Sequence, residues 1–102
     1  MIAADTSSLV AYFQGDAAIA AAIANDRLCL PPVVVAELLS FPKASPTVAS
    51  TIDALPRLAL LDGYWERAGK SRASLRTHGL KARLADTLVA QSCIDHGLPL
   101  IA

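Results

Sequence analysis

Short apolar runs alternate along the chain with longer segments whose apolar residues recur every three or four positions. The short runs predict four β-strands, at residues 2–4, 28–30, 57–61 and 98–101. The longer segments predict amphipathic helices between them. Because this order is typical of βαβ units, the sequence predicts an α/β fold with a parallel four-stranded sheet.

Capping residues, prolines and glycines set the expected limits of six helices. The N-terminal caps are expected from residues 6–8 and from Asp16, Ser45 and Asp62. The prolines at 31 and 32 start the third helix, since proline is tolerated in a first turn. The six helices should end near Gly15, Ala24, Phe41, Ile52, Gly79 and Gly97.

The size and composition favour one small intracellular domain. The chain has 102 residues, the usual length of a single domain. Its apolar share of 54% is high, and we expect part of this surplus to contact another chain. The most apolar segment, residues 28–41, is too short to span a membrane, and no signal peptide precedes Asp5, so the cytoplasm is expected. Cys29 and Cys93 lack zinc-site spacing and are predicted to be core residues.

Positive charge is concentrated in one segment, although nine basic and nine acidic residues give zero net charge. No acidic residue lies between positions 67 and 85. This basic segment has two possible roles, either a solvated helix face or a surface that contacts phosphates. Its cations are Arg67, Lys70, Arg72, Arg76, Lys81 and Arg83.

Three carboxylates interrupt segments that otherwise have the composition of a protein core. Each is the only charged residue of its segment: Asp5 in residues 1–15, Glu37 in 28–42 and Asp86 in 84–94. Asp5 follows a predicted strand, and ligands of open α/β sheets bind at the carboxyl ends of strands. The three acids are therefore candidates for one shared site.

Carboxylates that lie close together repel one another unless they take up protons or bind a cation. Oxygen-only ligands favour Mg²⁺ or Mn²⁺, and such an ion assists hydrolysis of phosphodiesters. Simpler roles remain open, because Asp5 is also suited to cap a helix and Asp86 to lie in a first turn. Glu37 has no neighbouring cation in the sequence, so only a distant arginine would pair with it.

At these residues the sequence resembles the PIN-domain nucleases of VapC-type toxins. The resemblance is carried by MIAADTSSLVAYF, PPVVVAELLS and LKARLADTLVAQSCIDHGLPLIA, which together span nearly the whole chain. It implies an α/β/α sandwich in which Asp5, Glu37 and Asp86 form a catalytic, metal-binding centre for Mg²⁺ or Mn²⁺. It also implies endonucleolytic cleavage of RNA, a homodimer and inhibition by a cognate VapB-type antitoxin.

The resemblance has one gap. Members of this family usually continue after the last strand with a segment that supplies a further acid, so we expect a single PIN domain, residues 1–102, whose final element is missing. Asp95 is a poor replacement, being about 180° around the helix from Asp86, and is expected to be solvated.

The alternative function is a catalytically incomplete module that binds a partner protein or RNA without cutting. A phosphoacceptor receiver domain is disfavoured, because the adjacent acidic pair and late lysine of such domains are absent.

Several polar residues are assigned supporting roles. Thr6 and Ser7 are candidates to bind a metal-bound water or a phosphate, with helix capping as the competing role. Neither His78 nor His96 is assigned to catalysis, since both adjoin helix-ending glycines. Trp65 and its neighbour Tyr64 are candidates to stack on a base, with the core or an interface as the more usual place for such residues at the start of an amphipathic helix. The candidate RNA-binding residues are Arg72, Arg76, Lys81 and Arg83.

Overall fold

The structure is a computed structural model that describes residues 1–42 and 45–101. Within these ranges it has strands joined by helices, which confirms the predicted α/β class. The elements are β1 (Ile2–Ala4), α1 (Thr6–Phe13), α2 (Ala17–Ala24), β2 (Leu28–Cys29), α3 (Pro32–Leu39), α4 (Pro46–Ala54), α5 (Tyr64–Thr77), α6 (Leu84–His96) and β3 (Leu100–Ile101).

The sheet is parallel and has the strand order β2-β1-β3. Successive residues of a strand point to opposite faces, and both Ala3 and Ala4 of the central strand are fully buried. Ala4 packs in a large apolar cluster drawn mainly from α1 to α4, whereas Ala3 packs with Cys29 and Cys93. Both faces of the sheet are therefore covered, in agreement with the expected α/β/α layering.

The predicted third strand, residues 57–61, is wrong as a full strand. It is reduced to a single parallel bridge between Leu30 and Arg57. The amide of Leu30 donates to the carbonyl of Pro56 (2.8 Å), and the amide of Leu58 donates to the carbonyl of Leu30 (2.9 Å). The ladder stops there because the next residue that would face this segment is Pro32, which has no N–H and begins α3, so later residues find no partner.

Helix ends lie within about two residues of the predicted ones, but two caps differ. Asp5 caps α1, which is the simpler role that was left open for it, whereas the caps expected from Thr6 to Ser8 do not form. The predicted cap Asp62 is also wrong, because Gly63 occupies the N-cap position of α5 with φ of +80°. A left-handed residue favours glycine, and the Asp62 carbonyl instead accepts a bond from Arg67 Nη1 (2.6 Å).

Helices α5 and α6 are held together by a partly buried polar network, which corrects the expectation that Asp95 is solvated. The side chain of Asp95 is only 7% exposed and pairs with Arg67 through two bonds, of 3.0 and 2.6 Å. Gln91 donates to the same carboxylate (2.8 Å) and accepts from Ser71 (3.1 Å). Because Asp95 is on the side of α6 away from Asp86, it meets α5 rather than water.

One buried hydroxyl in α6 has no hydrogen-bond partner within the described residues. Ser92 is 1% exposed, and its Oγ is unsatisfied. A helical serine can donate to the carbonyl four residues earlier, which here belongs to Leu88. That carbonyl already accepts two hydrogen bonds, one from the hydroxyl of the buried Tyr64 at 2.7 Å and one from the backbone amide four residues later in the helix. The competition explains why the Ser92 hydroxyl is left without an acceptor.

Other predictions about the core and surface are resolved by burial. Cys29 and Cys93 are free and buried, as predicted, and burial raises the pKa of both thiols. Tyr64 is in the core, but Trp65 is 62% exposed. In the described part of the chain no single helix is long and apolar enough to cross a membrane; α1 and α2 reach the length only together, with a bend of 100° between them.

We expect Asp95→Asn to lower the melting temperature at neutral pH. The Arg67 guanidinium and Gln91 hold the pKa of Asp95 below its usual range. The ionised Asp95 carboxylate therefore stabilises the fold fully above the pKa that aspartate has in the unfolded chain, about 4. This stabilisation is lost as the pH falls through the lower pKa of Asp95 in the folded chain. Thermal unfolding across acidic pH should show the parent and the variant converging below about pH 4. Asp53→Asn, an exposed change of equal charge on α4, should not lower the melting temperature; equal losses in both variants would refute the assignment.

Ser92→Ala should leave the free energy of unfolding unchanged or raise it by up to about 1 kcal/mol, because it removes a buried hydroxyl that makes no bond. Tyr64→Phe is the matched control, since it removes a satisfied hydroxyl beside the same carbonyl and should cost about 1 kcal/mol. Urea denaturation measures both. A loss in Ser92→Ala as large as that in Tyr64→Phe would contradict the competition for the Leu88 carbonyl.

Candidate functional site

Asp5 connects the central strand to the first helix. It follows β1 directly and caps α1, where its Oδ1 accepts the amide of Ser8 (2.8 Å). The same oxygen lies 3.0 Å from the hydroxyl of Ser7 and 2.8 Å from that of Ser8. Within the described residues the second oxygen, Oδ2, accepts no bond. The cap thus fixes the orientation of Asp5 and leaves one carboxylate oxygen for another ligand.

Ser8 contributes a contact that its position in the sequence does not reveal. Its hydroxyl lies 2.8 Å from Asp5 Oδ1 and 2.7 Å from the carbonyl of Ile101 in β3. A serine hydroxyl has one proton, so it donates to one of these acceptors at a time. The side chain is buried and separated from Ile101 by 93 positions. Ser8 therefore couples the orientation of Asp5 to the last strand.

Glu37 reaches the same region from α3 and is paired with a hydroxyl instead of a cation. Thr6 Oγ1 donates to Glu37 Oε1 at 2.8 Å. Thr6 is the first residue of α1, and Glu37 is partly buried. The hydroxyls of Thr6 and Ser7 are thus bonded to the carboxylates, and neither caps the helix.

One open pocket of about 580 Å³ brings the three predicted acids together. Asp86 joins them from the first turn of α6, where its side chain is exposed. The acids come from three elements, at the carboxyl end of β1, in the middle of α3 and at the start of α6. The lining residues are Asp5, Thr6, Ser7, Val10, Glu37, Asp86, Val89 and Leu100.

The donor chemistry of this acidic pocket fits a hard divalent cation, since its charged ligands are all carboxylates. The present side-chain positions are more open than a formed metal site. Across residues 1–42 and 45–101, no three acidic, histidine or cysteine side chains are grouped tightly enough to hold an ion between them. Asp5 and Glu37 each use one oxygen in an internal hydrogen bond, which leaves the other oxygen of each carboxylate for an ion.

The predicted basic residues do not form one continuous surface. Arg67 is paired with Asp95 and takes no part in a shared anion surface. A second pocket, at the turn between α5 and α6, is lined by all four candidate RNA-binding residues: Arg72, Arg76, Lys81 and Arg83. Both histidines bond backbone carbonyls, His78 to Ser74 (2.7 Å) and His96 to Ala59 (2.7 Å), and neither lines the acidic pocket.

Comparison with protein families matches residues 2–102 to the PIN domain. This match spans nearly the whole chain, and the chain belongs to the PIN domain family. A comparison with curated proteins found no match. Among solved structures the chain is similar to one in the crystal structure of VapBC2 from Rickettsia felis bound to a DNA fragment from their promoter. The TM-score is 0.78 at 21% identity, over 100% of this chain and 86% of the other, which shows a shared fold.

Substitutions at Asp5 should separate its structural role from its charge. We expect Asp5→Asn to keep the free energy of unfolding within about 0.5 kcal/mol of the parent, because an asparagine oxygen caps a helix as well as aspartate does. Asp5→Ala removes the acceptor for the Ser8 amide and should cost about 1 kcal/mol. Chemical denaturation of the three proteins provides the test. Equal stability of the parent and Asp5→Ala would show that this cap contributes nothing.

Proposed function

We propose that this chain is a metal-dependent endoribonuclease and the toxin component of a VapBC-type toxin-antitoxin pair. The observation that carries the proposal is the convergence of three carboxylates, each isolated in an apolar segment, on one pocket. Membership of the PIN domain family supports it, since the pocket is formed by the acids that the family resemblance had singled out. The site is proposed to hydrolyse phosphodiester bonds of RNA.

Asp5, Glu37 and Asp86 are proposed to hold Mg²⁺ or Mn²⁺. A bound ion of this kind lowers the pKa of a bound water and neutralises charge on a scissile phosphate. The protein's own part is to orient the ligands: Ser8 and Ser7 act on Asp5, and Thr6 acts on Glu37. Residues that hydrogen-bond to metal ligands in this way set the orientation of the ligands and tune the affinity for the metal.

The apolar part of the pocket serves the same chemistry. Val10, Val89 and Leu100 line the pocket together with the acids. Apolar side chains around charged groups lower the local dielectric constant and strengthen electrostatic attraction to a cation. Asp5 and Glu37, which are partly buried, therefore attract a cation more strongly than fully exposed carboxylates of equal spacing.

A protein partner is also proposed. Eleven large apolar side chains are exposed in the described residues, among them Phe41, Trp65 and Ile94. Such side chains are suited to contacts with a second copy of the chain and with a VapB-type antitoxin. The fold it shares with a chain of a VapBC2 structure supports the antitoxin as partner, and the proposed homodimer would act in the cytoplasm.

A second candidate function is supported by the open arrangement of the acids. A PIN-like module that binds RNA or a partner protein without cutting needs no preformed metal site, and none is formed among the described residues. Calorimetric titration with Mn²⁺ distinguishes the two functions. Binding that Asp5→Asn abolishes favours the nuclease, whereas absent binding favours the module.

We expect the chain with Mn²⁺ to cleave single-stranded RNA internally, and Asp5→Asn to reduce the rate by about 100-fold, because it removes a charged ligand and keeps the cap. Gel analysis of an end-labelled RNA measures the rate, with EDTA as the metal-free reaction. Asp53→Asn is the matched control, an exposed acid outside the pocket that should cleave at the parent rate. Intact RNA in the parent reaction, or equal cleavage by Asp5→Asn, would refute the nuclease.

A further inference from the structure

The turn between α5 and α6 forms a pocket of about 470 Å³ that is separate from the acidic pocket. Four of its lining residues are cationic and none is acidic, in a chain whose net charge is zero. Like charges so placed repel one another, and an anion bound between them relieves the repulsion. The lining residues of this basic pocket are Arg72, Arg76, Gly79, Leu80, Lys81, Ala82 and Arg83.

The basic pocket is built by specific hydrogen bonds. Arg72 is partly buried, and its Nε donates to the carbonyl of Ala82 at 2.9 Å, which ties the turn back onto α5. The amide of Leu80 donates to the carbonyl of Leu75 at 3.0 Å and closes the end of the helix. The guanidinium of Arg72 retains four further N–H donors. A fixed arginine of this kind is well suited to bind phosphate oxygens in pairs.

The basic pocket and the acidic pocket each include a residue from the start of α6. Arg83 is the N-cap residue of this helix, and Asp86 lies in its first turn. Three residues of an α-helix advance about 4.5 Å, so the two pockets lie within one helical turn of each other at this point. No side chain caps α6, and the positive end of its dipole adds to the charge of Arg83.

We propose that the basic pocket binds the phosphodiester backbone of single-stranded RNA next to the acidic pocket. The identity of the ligand rests on the proposed function. The Asp86 carboxylate repels phosphates. An RNA strand that enters the acidic pocket therefore needs cations beside that pocket to bind its adjoining phosphates. Arg83 and the neighbouring arginines supply them.

The chemistry of the basic pocket fits a nucleic-acid backbone better than an acidic protein. Protein interfaces depend on buried apolar anchors surrounded by polar contacts. Leu80 is the one large apolar side chain that lines this pocket in the described part of the chain. Four cations with so little apolar surface are typical of contacts to phosphates, which are sequence-independent and sensitive to salt.

The test compares two double variants of equal charge in the full chain. Arg76→Ala with Lys81→Ala removes two cations from the basic pocket and leaves the bonded Arg72 in place. Arg27→Ala with Arg57→Ala removes two exposed cations elsewhere. Fluorescence anisotropy of a short labelled single-stranded RNA, in EDTA so that no cleavage occurs, gives the Kd at several salt concentrations. Melting temperatures confirm that both variants are folded.

The pocket variant should weaken binding by about tenfold, and the slope of log K against log salt should shrink by about 1.4, since each phosphate contact on a single strand contributes about 0.7. The control variant should change Kd less than about twofold. Equal weakening by both variants, no weakening by either, or competition by polyglutamate as strong as by unlabelled RNA would each overturn the proposal.

The outcome is independent of catalysis. A parent chain that binds RNA through the basic pocket but does not cleave it with Mn²⁺ refutes the nuclease and leaves the phosphate site standing. A parent chain that cleaves RNA while both double variants bind it equally refutes the phosphate site and leaves the nuclease standing.

Discussion

The hydrogen bond from the Ser8 amide to Asp5 Oδ1 holds together the part of the molecule on which both the fold and the site depend. It ends the central strand, starts α1 and fixes the direction of the Asp5 carboxylate in one step. Ser8 extends this constraint to β3 through the Ile101 carbonyl. With its amide bonded to Asp5 and its hydroxyl to Ile101, Ser8 thereby links the end of the first strand to the last strand of the sheet. The local stability of the sheet and the geometry of the acidic pocket are consequently linked.

The fold was largely predictable because its strongest determinants are local. Apolar periodicity and capping residues located all six helices, and the short apolar runs located the three strands that form. The failure at residues 57–61 has a non-local cause. A strand needs a partner with free N–H and C=O groups, and the partner ends at Pro32, which lacks an N–H and begins α3. A sequence pattern shows which residues of a strand are apolar. It does not show whether the strand that should pair with it is long enough to do so.

The site was predictable to the extent that its residues are anomalous in their own segments. Glu37 stands out because a charge without a local cation is costly in an apolar helix. Its true partner, the Thr6 hydroxyl, is 31 positions away, and no local pattern indicates it. Asp95 was placed correctly on the side of α6 opposite Asp86 but wrongly in water, because its partner Arg67 lies on another helix, 28 positions earlier. Pairings across elements depend on tertiary packing.

Helix α6 brings these separate results into one physical argument. Its polar network with α5, centred on Asp95, sets how the helix is rotated, and that rotation presents Asp86 to the acidic pocket. The same pairing of helices positions the turn that carries the basic pocket. The N-terminal end of α6 therefore carries both Asp86, which attracts a cation, and Arg83, which attracts phosphates. Because both depend on the same packing, a change that rotates α6 should disturb both together, whereas a change confined to one pocket should leave the other intact.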